Sequence, residues 1–380
     1  MRIALLGNAA SIHTVKWANG LASRGHDVHL ISQDEPAEHR INDTVTQHRL
    51  AHSGTLGYFR NPRALRALDA MIQPDVVNAH YASGYGTTLR LARLARPSVL
   101  NVWGSDVYDF PHRSPIHKLL IISNLKRPTR VASTSHCMAA EIVPLVRGRE
   151  IDITPFGIDP AVFTPAAAEA APTGVIGTIK KLDPKYGIDT LIQAFAQLRH
   201  QARLVIAGTG PQEASLKQLA ADLGVADRVE FLGAVANSEV PGLLRGLDVY
   251  AALSRLDSES FGVAIIEAAA CGVPTVVSDA AGPAEVVDDG VTGIIVPRDN
   301  PSAAAEALDR LLADPQAAHA MGQAGRRHVI KHYSWEYCLD VMEDVYGKAI
   351  ADFEAGRQRP TPPIRRPRQP RSGEGSCASP

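Results

Sequence analysis

The sequence predicts an α/β protein of two doubly wound parallel-sheet domains facing across a cleft, and three observations carry that reading. Short apolar runs alternate with amphipathic segments along both halves of the 380 residues, the rhythm of strands joined by helical crossovers. An Ala- and Pro-rich stretch at 164–174 divides the halves, as linkers do. The length suits two ordinary domains, and 45% hydrophobic with 21% charged residues is the balance of a globular chain.

In the first half, residues 3–6, 28–31, 76–79 and 99–102 are short and mostly apolar, which reads as buried strands. Between the first two, the run from Val15 to Ser23 repeats apolar residues at helical spacing. Arg24, Gly25 and His26 supply its basic last turn and stop. Strand, helix and strand together make one Rossmann-like unit.

The second half repeats the pattern, with strands expected at 175–178, 204–207, 229–232, 249–252 and 275–277 and helices at 187–198, 212–223, 262–270 and 302–313. Beyond Asp352 the Arg- and Pro-rich segment 357–371 lacks the apolar content to fold alone. The expected organisation is therefore a first domain over 1–165, a second domain with a terminal helix over 166–354, and a disordered basic tail over 355–380.

A net charge of −1 conceals an asymmetry. Residues 1–165 carry 18 basic against 13 acidic side chains, residues 166–354 carry 15 against 26, and the last 26 residues carry 6 against 1. A basic first domain suits phosphate-bearing lipids or an anionic membrane surface, and ordinary solvated charge explains it equally well. Cys137, Cys271, Cys338 and Cys377 show neither metal-ligand nor disulfide-framework spacing. The opening apolar run is too short for a secretory signal, and no run approaches 18 consecutive apolar residues. These features lead to the expectation of a reducing cytoplasm, with any membrane contact peripheral at its inner face.

The chemistry concentrates in residues 258–272. Glu259 and Glu267 stand eight residues apart, and Glu267 lies among Val263, Ile265, Ile266 and four alanines. A carboxylate in that setting bears a large desolvation cost unless something hydrogen-bonds it, which points to a ligand. A helix starting near Phe261 or Gly262 puts its free N–H groups and positive dipole end between the two carboxylates, a place for phosphate. Hydroxyl acceptors on either side of an anion site match a nucleoside diphosphate sugar.

Glu259-Ser260-Phe261-Gly262, followed by Glu267 and the run to Val277, resembles the donor-site signature of glycosyltransferase family 4, retaining enzymes of the GT-B fold. Phe156-Gly157-Ile158-Asp159, Gly208-Thr209-Gly210-Pro211, the segment 228–233 and Gly290-Val291-Thr292-Gly293 follow in the family's order, and the likeness spans roughly residues 1–350. It implies transfer of a sugar from a nucleotide-sugar donor to a glycan or lipid-linked acceptor, as in polysaccharide or glycolipid synthesis. No cofactor, metal or nucleic acid is expected.

The resemblance distributes roles along the chain. Glu267 holds the ribose and Glu259 positions the sugar. Lys185 and the amides of Ser260, Phe261 and Gly262 steady the leaving diphosphate. Lys180 or Lys181 stands in for the family's Arg, whose position Thr178 takes. Gly208 and Gly210 let backbone approach the nucleotide, Leu232 begins the turn that contacts the base, and Glu285 matches a motif near the donor. On the first domain, Trp103 stands where many members have a His, which makes Asp106 the candidate for orienting an acceptor or sugar hydroxyl. His80 and His13 follow strand ends at the cleft, and Arg60, Arg63 and Arg66 form a basic cluster. Retention proceeds either through a covalent carboxylate intermediate or by attack from the leaving-group face, which the resemblance favours. A nucleotide-sugar epimerase of the same fold and a non-catalytic nucleotide-sugar binder are the rival readings.

Overall fold

The computed structural model describes residues 1–36, 41–166 and 173–358. The expected linker at 164–174 lies largely, and the expected tail at 355–380 almost wholly, outside the described residues.

Two parallel sheets form the framework. The first contains β1 (Arg2–Leu6), β2 (Asp27–Ser32), β3 (Thr46–Arg49), β4 (Val76–His80), β5 (Ser98–Val102), β6 (Arg130–Ser133) and β7 (Ile151–Ile153) in the order 3-2-1-4-5-6-7. The second contains β8 (Val175–Ile179), β9 (Arg203–Ala207), β10 (Val229–Gly233), β11 (Val249–Ala252), β12 (Thr275–Ser278) and β13 (Gly293–Val296) in the order 10-9-8-11-12-13. The central strands β4 and β5 are buried throughout because helices cover both faces, which is why they read as largely apolar runs. Their buried Asn78 and Asn101 satisfy each other, Asn78 Nδ2 donating to Asn101 Oδ1 at 2.6 Å.

Every strand expected from the sequence is present. β3, β6, β7 and β13 were not anticipated. β3, β7 and β13 are edge strands, and β3 is largely exposed with the sequence Thr-Gln-His-Arg. An edge strand needs no continuous apolar run, so the signal is weak. The helices at Ile12–Ser23, Ile188–Ala196, Glu213–Asp222, Val263–Ala270 and Pro301–Ala313 match the expected segments to within a few residues.

The terminal helix, assigned by sequence to the second domain, packs on the first. Helix Trp335–Gln358 places Cys338, Leu339, Met342 and Tyr346 in the core formed by Ile3, Leu5 and Val76. Its Tyr346 hydroxyl donates to Asn78 Oδ1 at 2.9 Å. Its helix-spaced apolar residues need an apolar partner, and the first sheet's face supplies one. The chain thus crosses between domains twice, at Phe156–Ile158 and at Tyr333–Trp335, where Ile158 N donates to Tyr333 O and Trp335 N to Ile158 O.

Candidate active site

In both sheets the strand order reverses beside the first strand, between β1 and β4 and between β8 and β11. Crossovers leaving neighbouring strands there run to opposite faces, which opens a crevice at the strands' carboxyl ends. Gly7 follows β1 and His80 ends β4. Lys180 follows β8, and the loop carrying Glu259 follows β11. The topology thus brings the predicted residues to two crevices.

On the second domain, Lys180 Nζ is ion-paired with Glu259 Oε1, and the two side chains are only 7% and 10% exposed. Ser254 Oγ donates to the other carboxylate oxygen at 3.4 Å. Burial pulls the Lys180 pKa down, but the attraction of Glu259 outweighs it and the net shift is upward. Lys180 is therefore a permanent cation. The sequence assigned these residues to phosphate and sugar separately, and the structure joins them into one polar unit.

Glu267 sits in the second turn of helix Val263–Ala270, half-buried. Among the described residues nothing hydrogen-bonds its carboxylate. Burial raises its pKa to about 7, against the pull of Lys16 and Lys180. Lys16 belongs to the first domain's helix Ile12–Ser23, so this carboxylate feels a cation across the cleft. Lys16 is not legible as a site residue from the sequence, because a lysine on an amphipathic helix carries no local mark of function. Lys185 is half-buried, with Nζ 4.8 Å from the Tyr186 ring centre and no carboxylate paired to it among the described residues. Lys181 is exposed, with Asp183 at 3.8 Å, and is a solvated surface charge.

The start of helix Val263–Ala270 is open. Gly262 at φ 88° precedes it, no side chain caps it, and its first turn holds no acidic residue, so its N–H groups suit an anion. The side chains just before it are already engaged. Phe261 is 3% exposed and packs edge-on to Phe156 and Tyr333. It belongs to the core, and only its backbone can serve a ligand. Ser260 Oγ donates to Trp103 O of the first domain at 3.2 Å, which leaves its amide rather than its hydroxyl for binding.

The structure places three further candidates. A Cβ on Gly208 would lie 1.9 Å from Lys180 O, and one on Gly210 2.2 Å from Leu182 O. These glycines bring two backbone segments together to shape the loop that carries Lys180. Leu232 lies on edge strand β10 and is 39% exposed, beside Gly233, whose carbonyl accepts from Gly208 N at 2.7 Å. Glu285 ends helix Ala281–Glu285, and its carboxylate is bound to the first domain's backbone.

On the first domain, Asp106 has no exposed surface. Its carboxylate accepts from Ala82 N at 2.8 Å, Gly104 N at 2.9 Å and Trp103 N at 3.2 Å. Burial lifts its pKa to about 6 and these amides hold it back from rising further. Asp106 pins the loop after β5 instead of offering an acceptor to a ligand. His80 is 1% exposed, with Nε2 3.1 Å from Asn78 Oδ1 and Nδ1 unpartnered. Burial, aided by His13, lowers its pKa to about 3, so it is neutral and cannot deliver a proton as an imidazolium. Trp103 packs between His80 at 4.6 Å and Phe156 at 5.6 Å, and His13 stacks on Phe156 at 4.3 Å. Arg60, Arg63 and Arg66 are exposed. No metal-binding cluster occurs among the described residues.

Known proteins match this architecture. The family profile for glycosyl transferases group 1 matches residues 166–328, and that for the glycosyl transferase 4-like family matches residues 2–135. A GDP-mannose-dependent alpha-(1-6)-phosphatidylinositol monomannoside mannosyltransferase of Mycolicibacterium smegmatis is 36% identical over 48% of this chain and 48% of its own length. A D-inositol 3-phosphate glycosyltransferase of Stackebrandtia nassauensis is 28% identical over 90% of this chain and 86% of its own. The alignments to the first of these curated relatives span about half of the relatives' length. Sucrose-phosphate synthase from Thermosynechococcus elongatus superposes over 92% of this chain and 99% of its own, with a TM-score of 0.78 at 21% identity. Anabaena HepE in complex with UDP covers 92% and 100%, with a TM-score of 0.76 at 18% identity. With the two profiles tiling its halves and these structures sharing its topology, the chain belongs to the family 4 glycosyltransferases and has the GT-B fold.

Proposed function

We propose that the protein transfers a sugar from a nucleoside diphosphate sugar, held by the second domain, to a lipid-linked or glycan acceptor held by the first, with retention of anomeric configuration. The observation that carries this reading is Glu267: a half-buried carboxylate with no hydrogen bond, one helical turn behind an open helix start and close to the Lys180–Glu259 pair. An unpaired carboxylate in that setting is stabilised by a ligand that donates to it, and the ribose hydroxyls of a nucleotide do so. The open N–H groups and Lys185 then take the diphosphate, whose negative charge grows as it departs. Lys180 fixes Glu259 toward the sugar. With His80 neutral and Asp106 engaged by backbone, the departing diphosphate is the base that receives the acceptor's proton.

Relatives named for GDP-mannose and for phosphatidylinositol mannosides or inositol phosphate make GDP-mannose and an inositol-bearing acceptor the first pair to test. The terminal helix packed on the first domain carries six acidic and two basic side chains over 335–358 and largely offsets that domain's excess of basic residues. The phosphatidylinositol-named relatives, rather than net charge, therefore support peripheral contact with a membrane; among the described residues no helix is long and apolar enough to cross one. Binding and slow hydrolysis of GDP-, UDP- and ADP-sugars, followed by NMR of the product with inositol-bearing and soluble acceptors, test the proposal. Tight binding of one donor and a retained anomer are expected. Inversion, or a free isomerised sugar formed without acceptor, would overturn it.

A further inference from the structure

The loop that carries Glu259 is coupled to the first domain through a helix of only five residues. Asp257 Oδ1 accepts from Ala281 N at 2.8 Å and so caps helix Ala281–Glu285 from within that loop. One residue on, Gly282 lies so close to the loop that a Cβ there would come within 2.1 Å of Glu259 O and 2.6 Å of Phe261 N. Helix and loop therefore move as one body. At the far end of the helix, Glu285 reaches into the first domain, where its two oxygens accept from His136 N and Cys137 N, each at 2.7 Å. These are the first two amides of helix His136–Ile142, and Ser135 Oγ takes the third, from Met138 N. A helix of one domain is thus capped by a carboxylate of the other. The same seam is drawn together at Cys137, whose Sγ lies 3.6 Å from Ser260 O.

We propose that Glu285 is a positioning residue: it locks the donor loop to the first domain through helix His136–Ile142, and its release opens the cleft. A carboxylate spanning two helix N-terminal amides makes charge-assisted hydrogen bonds. These bonds exist only while the domains are together, so they bias the equilibrium between open and closed forms without touching the nucleotide site. The part of this inference that concerns catalysis rests on the transferase reading; the lock itself does not.

Cys137 reports on the seam directly, because its thiol is partly buried between the domains, whereas Cys271 is 4% exposed in the second domain's core. The experiment is alkylation of the protein by iodoacetamide, read at each cysteine by mass spectrometry, in the parent, Glu285→Ala and Glu285→Gln. It is run over a pH series so that rates are compared per thiolate, since burial and the Glu285 charge itself both raise the Cys137 thiol pKa. Labelling of Cys137 should accelerate about tenfold in Glu285→Ala, as two charge-assisted bonds are lost. The increase should be smaller in Glu285→Gln, which keeps one acceptor, and Cys271 should remain protected in both. Equal Cys137 rates in all three proteins would overturn the lock. So would parallel acceleration at Cys271, since the carboxylate would then be holding the fold rather than the seam. Neither result depends on which sugar, if any, is transferred.

Discussion

The two walls of the cleft spend their charges differently. On the second domain, Lys180 and Glu259 satisfy each other, while among the described residues Glu267 and Lys185 have no partner of opposite charge in hydrogen-bond contact. On the first, the Asp106 carboxylate is consumed by three backbone amides and His80 is held neutral by burial. Residues of the same types, at corresponding strand ends, therefore do different work. What separates them is whether the protein's own groups have already met the hydrogen-bonding demand that burial creates. The second wall retains unmet demand and is suited to a charged, hydroxyl-rich ligand. The first wall is rigid and close to neutral, which suits shaping an acceptor's path more than binding charge.

Breaking the Lys180–Glu259 pair should have the largest effect. Glu259→Leu leaves a buried ammonium unpaired and should cost about 3–5 kcal/mol in denaturant unfolding. Adding Lys180→Met should restore most of that stability without restoring function. A single-variant cost below about 1 kcal/mol would mean that solvent screens the pair, and the contrast between the walls would weaken.

Next in size is Asp106→Ala, which strips the acceptor from three buried amides and should cost about 2–4 kcal/mol. Its nucleotide affinity, measured by calorimetry, should fall by a smaller factor than its stability, because the loop reaches the donor side only through the Ser260 hydroxyl on Trp103 O. A selective loss of acceptor affinity with unchanged stability would return Asp106 to the ligand.

The smallest effect separates Glu267 from both. Below pH 4.5 its carboxyl is protonated in the folded and unfolded chains alike, so it costs nothing. Between 4.5 and about 7 the unfolded chain releases the proton while the folded protein keeps it. Stability therefore falls as pH rises through this window and levels off above it. Glu267→Gln should remove a decline on the order of 1–3 kcal/mol. The decline from Asp106, of the same sign between 3.8 and about 6, should remain. Nucleotide binding should show the complementary trend: affinity rises through pH 7 in the parent as Glu267 ionises, and becomes flat in Glu267→Gln. A parent with no such rise would remove Glu267 from the ribose site.

Much of the fold was legible because buried parallel strands are largely apolar on both faces, and residues 76–79 and 99–102, each with a single Asn, announce themselves in that way. The Glu259 and Glu267 spacing was legible for a related reason: a carboxylate in an apolar helical run needs an explanation that local sequence does not provide. Asp106 was misread because its spacing to a strand end is visible in the chain while the amides that occupy it are not; one of them, Ala82, lies 24 residues away. That the Phe261 side chain turns into the core while only its amide faces the helix start was not legible, because a motif does not say which way its members point.

By itself, then, the sequence determined the strand-and-helix rhythm, the presence of two parallel-sheet halves and the Glu259/Glu267 spacing, since each depends on burial patterns or spacing within a few turns of chain. Tertiary structure alone decided the partners: Lys16 opposite Glu267, Glu285 on helix His136–Ile142, and the terminal helix returning to the first sheet. Hydrogen bonds and charge attraction act over a few ångströms in space, and residues more than a hundred positions apart come within that reach only when the chain has folded.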